Sequence, residues 1–246
     1  MKKQLIAVLL VLAPAWAFAS SGSGMHMDEA NIDPNNKASL QRGARLFVNY
    51  CLSCHSAALM RYERIGKDLG IKDKLVAENL VFSGGKTADL MTVATHPEDA
   101  KEWFGIMPPD LTVIARARGV DWLYNYMRSF YRDDSKITGV NNLVFPDVGM
   151  PHVLWELQGW QEAVVHTVKS EDGSETKAVS LELVEPGLLT PKEYDRAIRD
   201  LVNFLDYMGE PAKHERRALG VKVIMFLLLL LAVAYLMKRD YWKDIH

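Results

Sequence analysis

Nineteen residues near the end of the chain, "LGVKVIMFLLLLLAVAYLM" from Leu219 to Met237, carry a single charge, that of Lys222. A helix in a soluble core keeps a polar face for water, and the stretch from Val223 to Leu236 has none. As a helix the run rises about 28 Å, close to the hydrocarbon thickness of a bilayer. Lys222, near the outer end, can lay its stem along the helix and place its ammonium at the interface. One membrane-spanning helix is predicted over 219–237, and the long segment before it must fold to one side of the membrane.

The start of the chain says which side. Lys2 and Lys3 form a charged beginning, Leu5 to Trp16 an apolar centre, and Ala17-Phe18-Ala19 a small-x-small cleavage site, the three parts of a secretory signal peptide. Residues 1–19 are expected to be removed; Pro14 and the short apolar length speak against a retained anchor. Basic residues do not decide orientation by themselves, because Lys238, Arg239 and Lys243 flank one end of the span and Lys213, Arg216 and Arg217 the other. Export does, placing residues 20–218 across the membrane and leaving 238–246 as a cytoplasmic tail. That exported part holds 23 basic and 29 acidic side chains, a net charge of −6. Such a field speaks against nucleic acid or an anionic membrane surface and suits a cationic partner.

Both cysteines of the chain lie in "CLSCH", Cys51 to His55. In an oxidising compartment two cysteines first suggest a disulfide, but a bridge across two residues closes too small a loop to staple a domain. A thioredoxin-like site expects a preceding strand and a βαβ setting, which this region lacks. A structural zinc site needs four ligands, and no second Cys/His pair follows at finger spacing. Taken whole, C-x-x-C-H is the attachment site of a c-type haem, with thioethers from Cys51 and Cys54 and an axial imidazole from His55. Two intervening residues let the thiols reach the vinyl groups along one porphyrin edge, and the next side chain falls under the iron. One covalent haem c per chain is predicted. Leu40, Ala44, Phe47 and Cys51, spaced i, i+4, i+7, i+11, form one face of a helix that delivers the motif. Gly43 on that helix permits close approach by another.

Methionine is the common second axial ligand of c-type cytochromes, where its soft sulfur raises the potential. Met107 in "GIMPPDL" and Met150 in "DVGMPHV" precede proline in loop-like sequence, whereas Met60, Met91, Met127 and Met208 fall in helix-like stretches. Spacing alone does not choose between Met107 and Met150. A further helix is legible in "TPKEYDRAIRDLVNFLDYMGEP", with Thr190 as cap, Pro191 at its first position and Glu193 completing a capping box. Its apolar face is Tyr194, Ile198, Leu201, Leu205 and Met208. This helix is predicted to pack on the Gly43 face and to run on into the anchor. Short β-like runs around the turn residues "EDGS" predict a small hairpin insertion, in which Trp155 and Trp160 serve either its packing or a functional role. His96, His152 and His166 are expected at the surface.

Four stretches occur in a telling order: "LQRGARLFVNYCLSCHS", "HPEDAKEWFGIMPPDLTVIARARG", "FPDVGMP" and "LVNFLDYMGEPAKHERRALGVKVIMF". Together they cover almost the whole mature chain and resemble the cytochrome c1 family in its bacterial form. Those proteins are the haem-bearing subunits of ubiquinol-cytochrome c reductase, respiratory complex III. The "PPDL…RAR" and "EP…H..R..G" blocks are more specific than the haem motif. The resemblance implies a mainly α fold: a class I cytochrome c-like haem domain with long loops and a small β-hairpin insertion, plus one C-terminal transmembrane helix. It puts the axial methionine at Met150 rather than Met107, and makes Arg118, the second arginine of "RAR", the partner of a haem propionate. A fork-shaped, always-charged guanidinium suits that role.

The resemblance further implies a non-enzymatic subunit that passes single electrons from a Rieske iron-sulfur protein to a cytochrome c. Its partners would be cytochrome b and the Rieske protein in a dimeric complex of the bacterial inner membrane, with the haem domain in the periplasm. One departure stands out: where the family leads to a tyrosine after "RARxG", this chain has Trp122, with Tyr124 and Tyr126 close by. The rivals are a peroxidase-like haem enzyme, with an open sixth site and a distal polar residue, and an assembly-type cytochrome anchored beside another oxidase.

Overall fold

The computed structural model describes residues 27–82, 84–169 and 175–243. The signal sequence and the "EDGS" turn lie outside the described residues. In chain order the elements are α1 (Lys37–Leu46), a π-helical turn (Phe47–Cys51), β1 (Ala57–Arg61), α2 (Tyr62–Leu69), α3 (Asp73–Asn79), β2 (Leu90–Met91) and α4 (Pro97–Phe104). There follow α5 (Ile114–Arg118), α6 (Val120–Arg128), β3 (Phe130–Arg132), β4 (Val140–Asn142), α7 (Trp155–Gln158), β5 (Gly159–Lys169), β6 (Glu175–Pro186), α8 (Pro191–Gly209) and α9 (Lys213–Tyr241). The chain is mainly α. The described strands form antiparallel pairs β1–β2, β3–β4 and β5–β6. Met60 and Met91, expected in helices, lie instead on β1 and β2, where both are buried.

Helix α8 organises the domain. Its capping box forms as expected, the Glu193 carboxylate accepting the Thr190 N–H at 2.9 Å. Tyr194, Ile198, Leu201, Leu205 and Met208 are all buried. Helix α1 crosses α8 at Gly43 so closely that an added Cβ would sit 2.1 Å from the Asp200 carbonyl oxygen and 2.6 Å from Phe204 Cβ. The crossing is fastened beside this contact. The buried Asp200 carboxylate accepts the Ser39 hydroxyl at 2.6 Å and Arg42 Nε–H at 2.5 Å, leaving neither carboxylate oxygen without a donor. Next to this contact, Leu40, Ala44, Phe47 and Cys51 are buried as their spacing predicts, with the Phe47 ring 5.7 Å from that of Phe204 on α8. Beyond Leu46 the helix widens into the π turn, a feature that often re-aims side chains at functional sites.

The membrane helix continues from this scaffold. Glu215–Tyr241 is long and apolar enough to cross a bilayer, and its apolar side chains are exposed all round, as lipid-facing residues are. Lys213 pairs with Asp206 at 2.8 Å and Arg216 with Glu210 at 2.5 Å, tying the start of the anchor to the end of α8. The insertion is a hairpin with strands of 11 and 12 residues, longer than the short alternating runs suggested. Trp155 and Trp160 stack at its base with centroids 5.6 Å apart, and Arg132 lies over the Trp160 ring at 4.8 Å while pairing with Glu185 at 2.8 Å. Both tryptophans serve the packing of the insertion.

Candidate haem-binding site

An apolar cavity of ≈ 300 Å³ lies beside the end of α1, within the size range of small-molecule and cofactor sites. Cys51, Cys54, His55, Met150 and Arg118 all line it. These residues come from the π turn, the turn that follows it, α5 and the loop after β4, so the fold brings together all five residues singled out from sequence. Met107 is not among the lining residues, although Ile106 and Pro108 are.

The cysteine-histidine side is built from consecutive residues on a rigid support. Backbone bonds from Cys54 N and His55 N to the Cys51 carbonyl, 3.1 and 2.9 Å, coil the motif into a tight turn. The two thiols are not joined to each other. Burial, with the neighbouring Cys54, pushes the Cys51 thiol up to about 12. His55 Nδ1 lies 2.8 Å from the Pro109 carbonyl oxygen. A carbonyl only accepts, so Nδ1 carries the proton and Nε2 keeps its lone pair for a metal. Burial also lowers the pKa of His55 against the smaller opposing effects of this bond and of Asp110, which favours the neutral imidazole that ligation requires.

The segment around Pro109 is itself stitched to the strand after the motif. Leu111 N donates to the Ser56 carbonyl at 2.8 Å, and the Asp110 carboxylate accepts Ala58 N at 2.7 Å and Thr112 N at 2.8 Å. The "PPDL" block thus acts as the backrest of the histidine, a role that its sequence does not state. Two successive prolines are the local signal for such a stiff, extended segment.

The methionine side is assembled from distant residues. Met150 follows a loop whose first residues hang on Asn142, a buried amide on β4. Its Oδ1 accepts Val144 N at 2.9 Å and Phe145 N at 3.0 Å, and its Nδ2 donates to the Tyr126 carbonyl at 2.8 Å. Asn141 Oδ1 holds the next bend by accepting Asp147 N at 2.8 Å, where Asp147 takes a left-handed φ of 61°. Tyr126 closes the arrangement: its hydroxyl donates to Met150 Sδ at 3.4 Å.

Arg118 sits at the cavity edge with its guanidinium 5.2 Å from the Trp122 ring centroid and 5.8 Å from that of Phe145. Trp122 therefore supplies a ring under the arginine where the family pattern led to a tyrosine. Of the two nearby tyrosines, Tyr126 lines the cavity, whereas Tyr124 does not and lies under Arg128 at 4.4 Å. His96 and His166 are exposed as expected, but His152 is not. It is buried, stacked 4.9 Å from Phe130 and set edge-on to Trp160, and burial lowers its pKa to about 4. Long-range aromatic packing overrides the surface preference of its type.

The donor set fits a c-type haem. Two thiols, an imidazole with Nε2 free and a thioether line one apolar cavity, and a cation stands at its edge where propionates need one. Comparison with known proteins agrees. The Cytochrome C1 family model matches residues 28–245. Cytochrome c1 of Allochromatium vinosum is 51% identical over 246 residues, the full length of both chains. The ammonia monooxygenase gamma subunit of Nitrosomonas europaea is 48% identical over 97% of each, and cytochrome c1 of Rhodospirillum rubrum 24% identical over 99% of this chain and 97% of that one. With the family model matching residues 28–245 and the Allochromatium protein matching end to end, this chain belongs to the cytochrome c1 family, membrane-anchored electron-transfer subunits of complex III that carry covalently bound haem c.

Proposed function

We propose that this chain passes single electrons from a Rieske iron-sulfur protein to a cytochrome c, and that Cys51, Cys54, His55, Met150 and Arg118 hold the haem that makes this possible. Cys51 and Cys54 form the thioethers, His55 Nε2 and Met150 Sδ are the axial ligands, and Arg118 neutralises a propionate. When bound, haem c supplies the one-electron change between ferric and ferrous iron. The chain's own residues hold, orient and shield. Pro109 fixes the imidazole tautomer, the apolar walls exclude water, and a sulfur ligand favours the reduced metal. No side chain is assigned an acid, base or nucleophilic role.

The chain is proposed to lose residues 1–19, to hold its haem domain (residues 20–218) in the periplasm, to cross the bacterial inner membrane over 219–237 and to leave 238–246 in the cytoplasm. Cytochrome b and the Rieske protein are its proposed neighbours in a dimeric complex. The observation that carries the reading is the convergence of a tautomer-fixed histidine and a methionine sulfur on the cavity that also holds both thiols. A methionine sulfur on the cavity wall, available for the sixth position, supports this reading over a peroxidase-like one.

The test is an absorption spectrum and quinol-dependent reduction of a soluble cytochrome c by the purified membrane complex. A c-type α-band, a weak sulfur-to-iron band in the near infrared and co-purification with cytochrome b are expected. Met150→Leu should abolish the sulfur band and sharply lower the potential, while Met107→Leu should leave both in place. The reverse pattern would overturn the ligand assignment.

A further inference from the structure

Beyond the residues that hold the haem, Tyr126 touches the proposed axial sulfur directly. Its hydroxyl donates to Met150 Sδ at 3.4 Å. Its ring is fixed on two sides, stacked on Trp122 with centroids 4.9 Å apart and planes 10° apart, and set edge-on to Phe130 at 5.2 Å. Its backbone carbonyl accepts from Asn142, the same side chain that holds the start of the methionine loop. The phenol is therefore fixed relative to the sulfur by both its ring and its backbone. A thioether sulfur has two lone pairs and accepts weakly. One given to a metal leaves the other for a donor.

We infer that Tyr126 is a positioning and tuning residue for the axial methionine, holding the Met150 sulfur in place and drawing electron density from it. The inference rests on ligation by Met150 as proposed above. Ferric iron depends more than ferrous iron on electron donation from its ligands. A hydrogen bond that withdraws density from the sulfur therefore destabilises the oxidised state more and raises the reduction potential. Hydrogen bonds beyond the ligand sphere are an established lever on metal potentials. The aromatic stack supplies the rigidity and the hydroxyl the electronic effect, so the two contributions separate by mutation.

The experiment is a redox titration with near-infrared spectroscopy on the full-length haem protein in its membrane complex, comparing the parent with Tyr126→Phe and Phe130→Leu. Tyr126→Phe keeps the ring and removes the donor; its midpoint potential should fall, and its sulfur-to-iron band should shift or weaken. Phe130→Leu disturbs the stack but leaves hydroxyl and sulfur in place, so its midpoint should stay near the parent's. Complete loss of the band in Tyr126→Phe, with the c-type α-band retained, supports the positioning half of the inference. A Tyr126→Phe protein with the parent's midpoint and band overturns it. So does an equal fall in Phe130→Leu, which assigns the effect to packing. A parent without the sulfur band overturns ligation by Met150 itself, a failure distinct from either of these.

Discussion

The two sides of the haem cavity are held by different physics. On the histidine side, five consecutive residues sit at the end of a helix clamped to α8 by the Gly43 crossing and the Asp200 bonds, and the imidazole leans on a two-proline segment. On the methionine side, an irregular loop is suspended from the amides of Asn141 and Asn142, with a tyrosine hydroxyl on the sulfur. Backbone packing sets the first side, and side-chain hydrogen bonds set the second. The difference suits the chemistry. On the proposed assignment, covalent attachment would fix the haem at the motif, so the motif would have to be placed accurately from the start. The methionine loop would then be left to set the strength of the proposed coordination bond.

The comparison is broken most forcefully by removing the covalent link. The double substitution Cys51→Ser, Cys54→Ser should abolish haem staining on a denaturing gel, because no thioether remains to carry the group through denaturation. Undiminished covalent haem in that variant would end the assignment of the motif. A smaller effect on the same side comes from Gly43→Ala. Its Cβ would lie 2.1 Å from a backbone oxygen of α8, an obstacle that no side-chain rotation relieves. The helices must separate, at a cost of about 3 kcal/mol, the upper range for overpacking. Chemical denaturation should show that loss, while the folded fraction keeps its sulfur band.

On the methionine side, Asn142→Ala should do the opposite. It removes the acceptor of Val144 and Phe145 and the donor to Tyr126, leaving buried backbone groups without partners. A cost of about 2 kcal/mol follows, and the sulfur band should weaken or vanish because the loop is no longer held. If Gly43→Ala loses the band and Asn142→Ala keeps it, the division between the two sides is wrong.

This division also explains what the sequence discloses. The histidine side is legible because its information is local: a five-residue motif, a face at helical spacing through Leu40, Ala44, Phe47 and Cys51, and a glycine where another helix must approach. Helix α8 announces itself through Thr190, Pro191 and Glu193, and the anchor through nineteen residues with a single charge. The methionine side leaves no such pattern. Met107 and Met150 both stand before proline in loops; spacing does not choose between them, the resemblance to the family favours Met150, and the fold places Met150 but not Met107 on the cavity lining. Tyr126 and Asn142 reach residues 24 and 16 positions away through side-chain bonds, which no periodicity encodes. Pro109 contributes a carbonyl, a group that every residue has. The burial of His152 escapes sequence reasoning for the same reason, since it depends on Phe130, on strand β3, meeting the imidazole across 22 residues.

The smallest effect lies at the outer edge of the methionine side and is read through pH. Asp133 accepts Ser135 Oγ–H at 2.6 Å, Ser135 N–H at 3.1 Å and Asn141 Nδ2–H at 3.0 Å, and it thereby steadies the amide that holds Asp147. These bonds, led by the Ser135 hydroxyl, hold its pKa below the ordinary carboxylate value. The ionised form is therefore favoured in the folded state. The stabilisation is fully present above the ordinary carboxylate pKa and is lost as pH falls through that value toward the depressed folded one. Asp133 is only partly buried, so solvent screens the effect and its size is modest. Thermal unfolding of the haem protein from neutral pH down to the carboxylate range should show a shallower acid decline in Asp133→Asn than in the parent. The sulfur band at neutral pH should weaken slightly in that variant, since an amide oxygen is a poorer acceptor for Asn141 than a carboxylate. Identical pH profiles in the two proteins would show that the Asn141 amide holds the loop without help from the carboxylate.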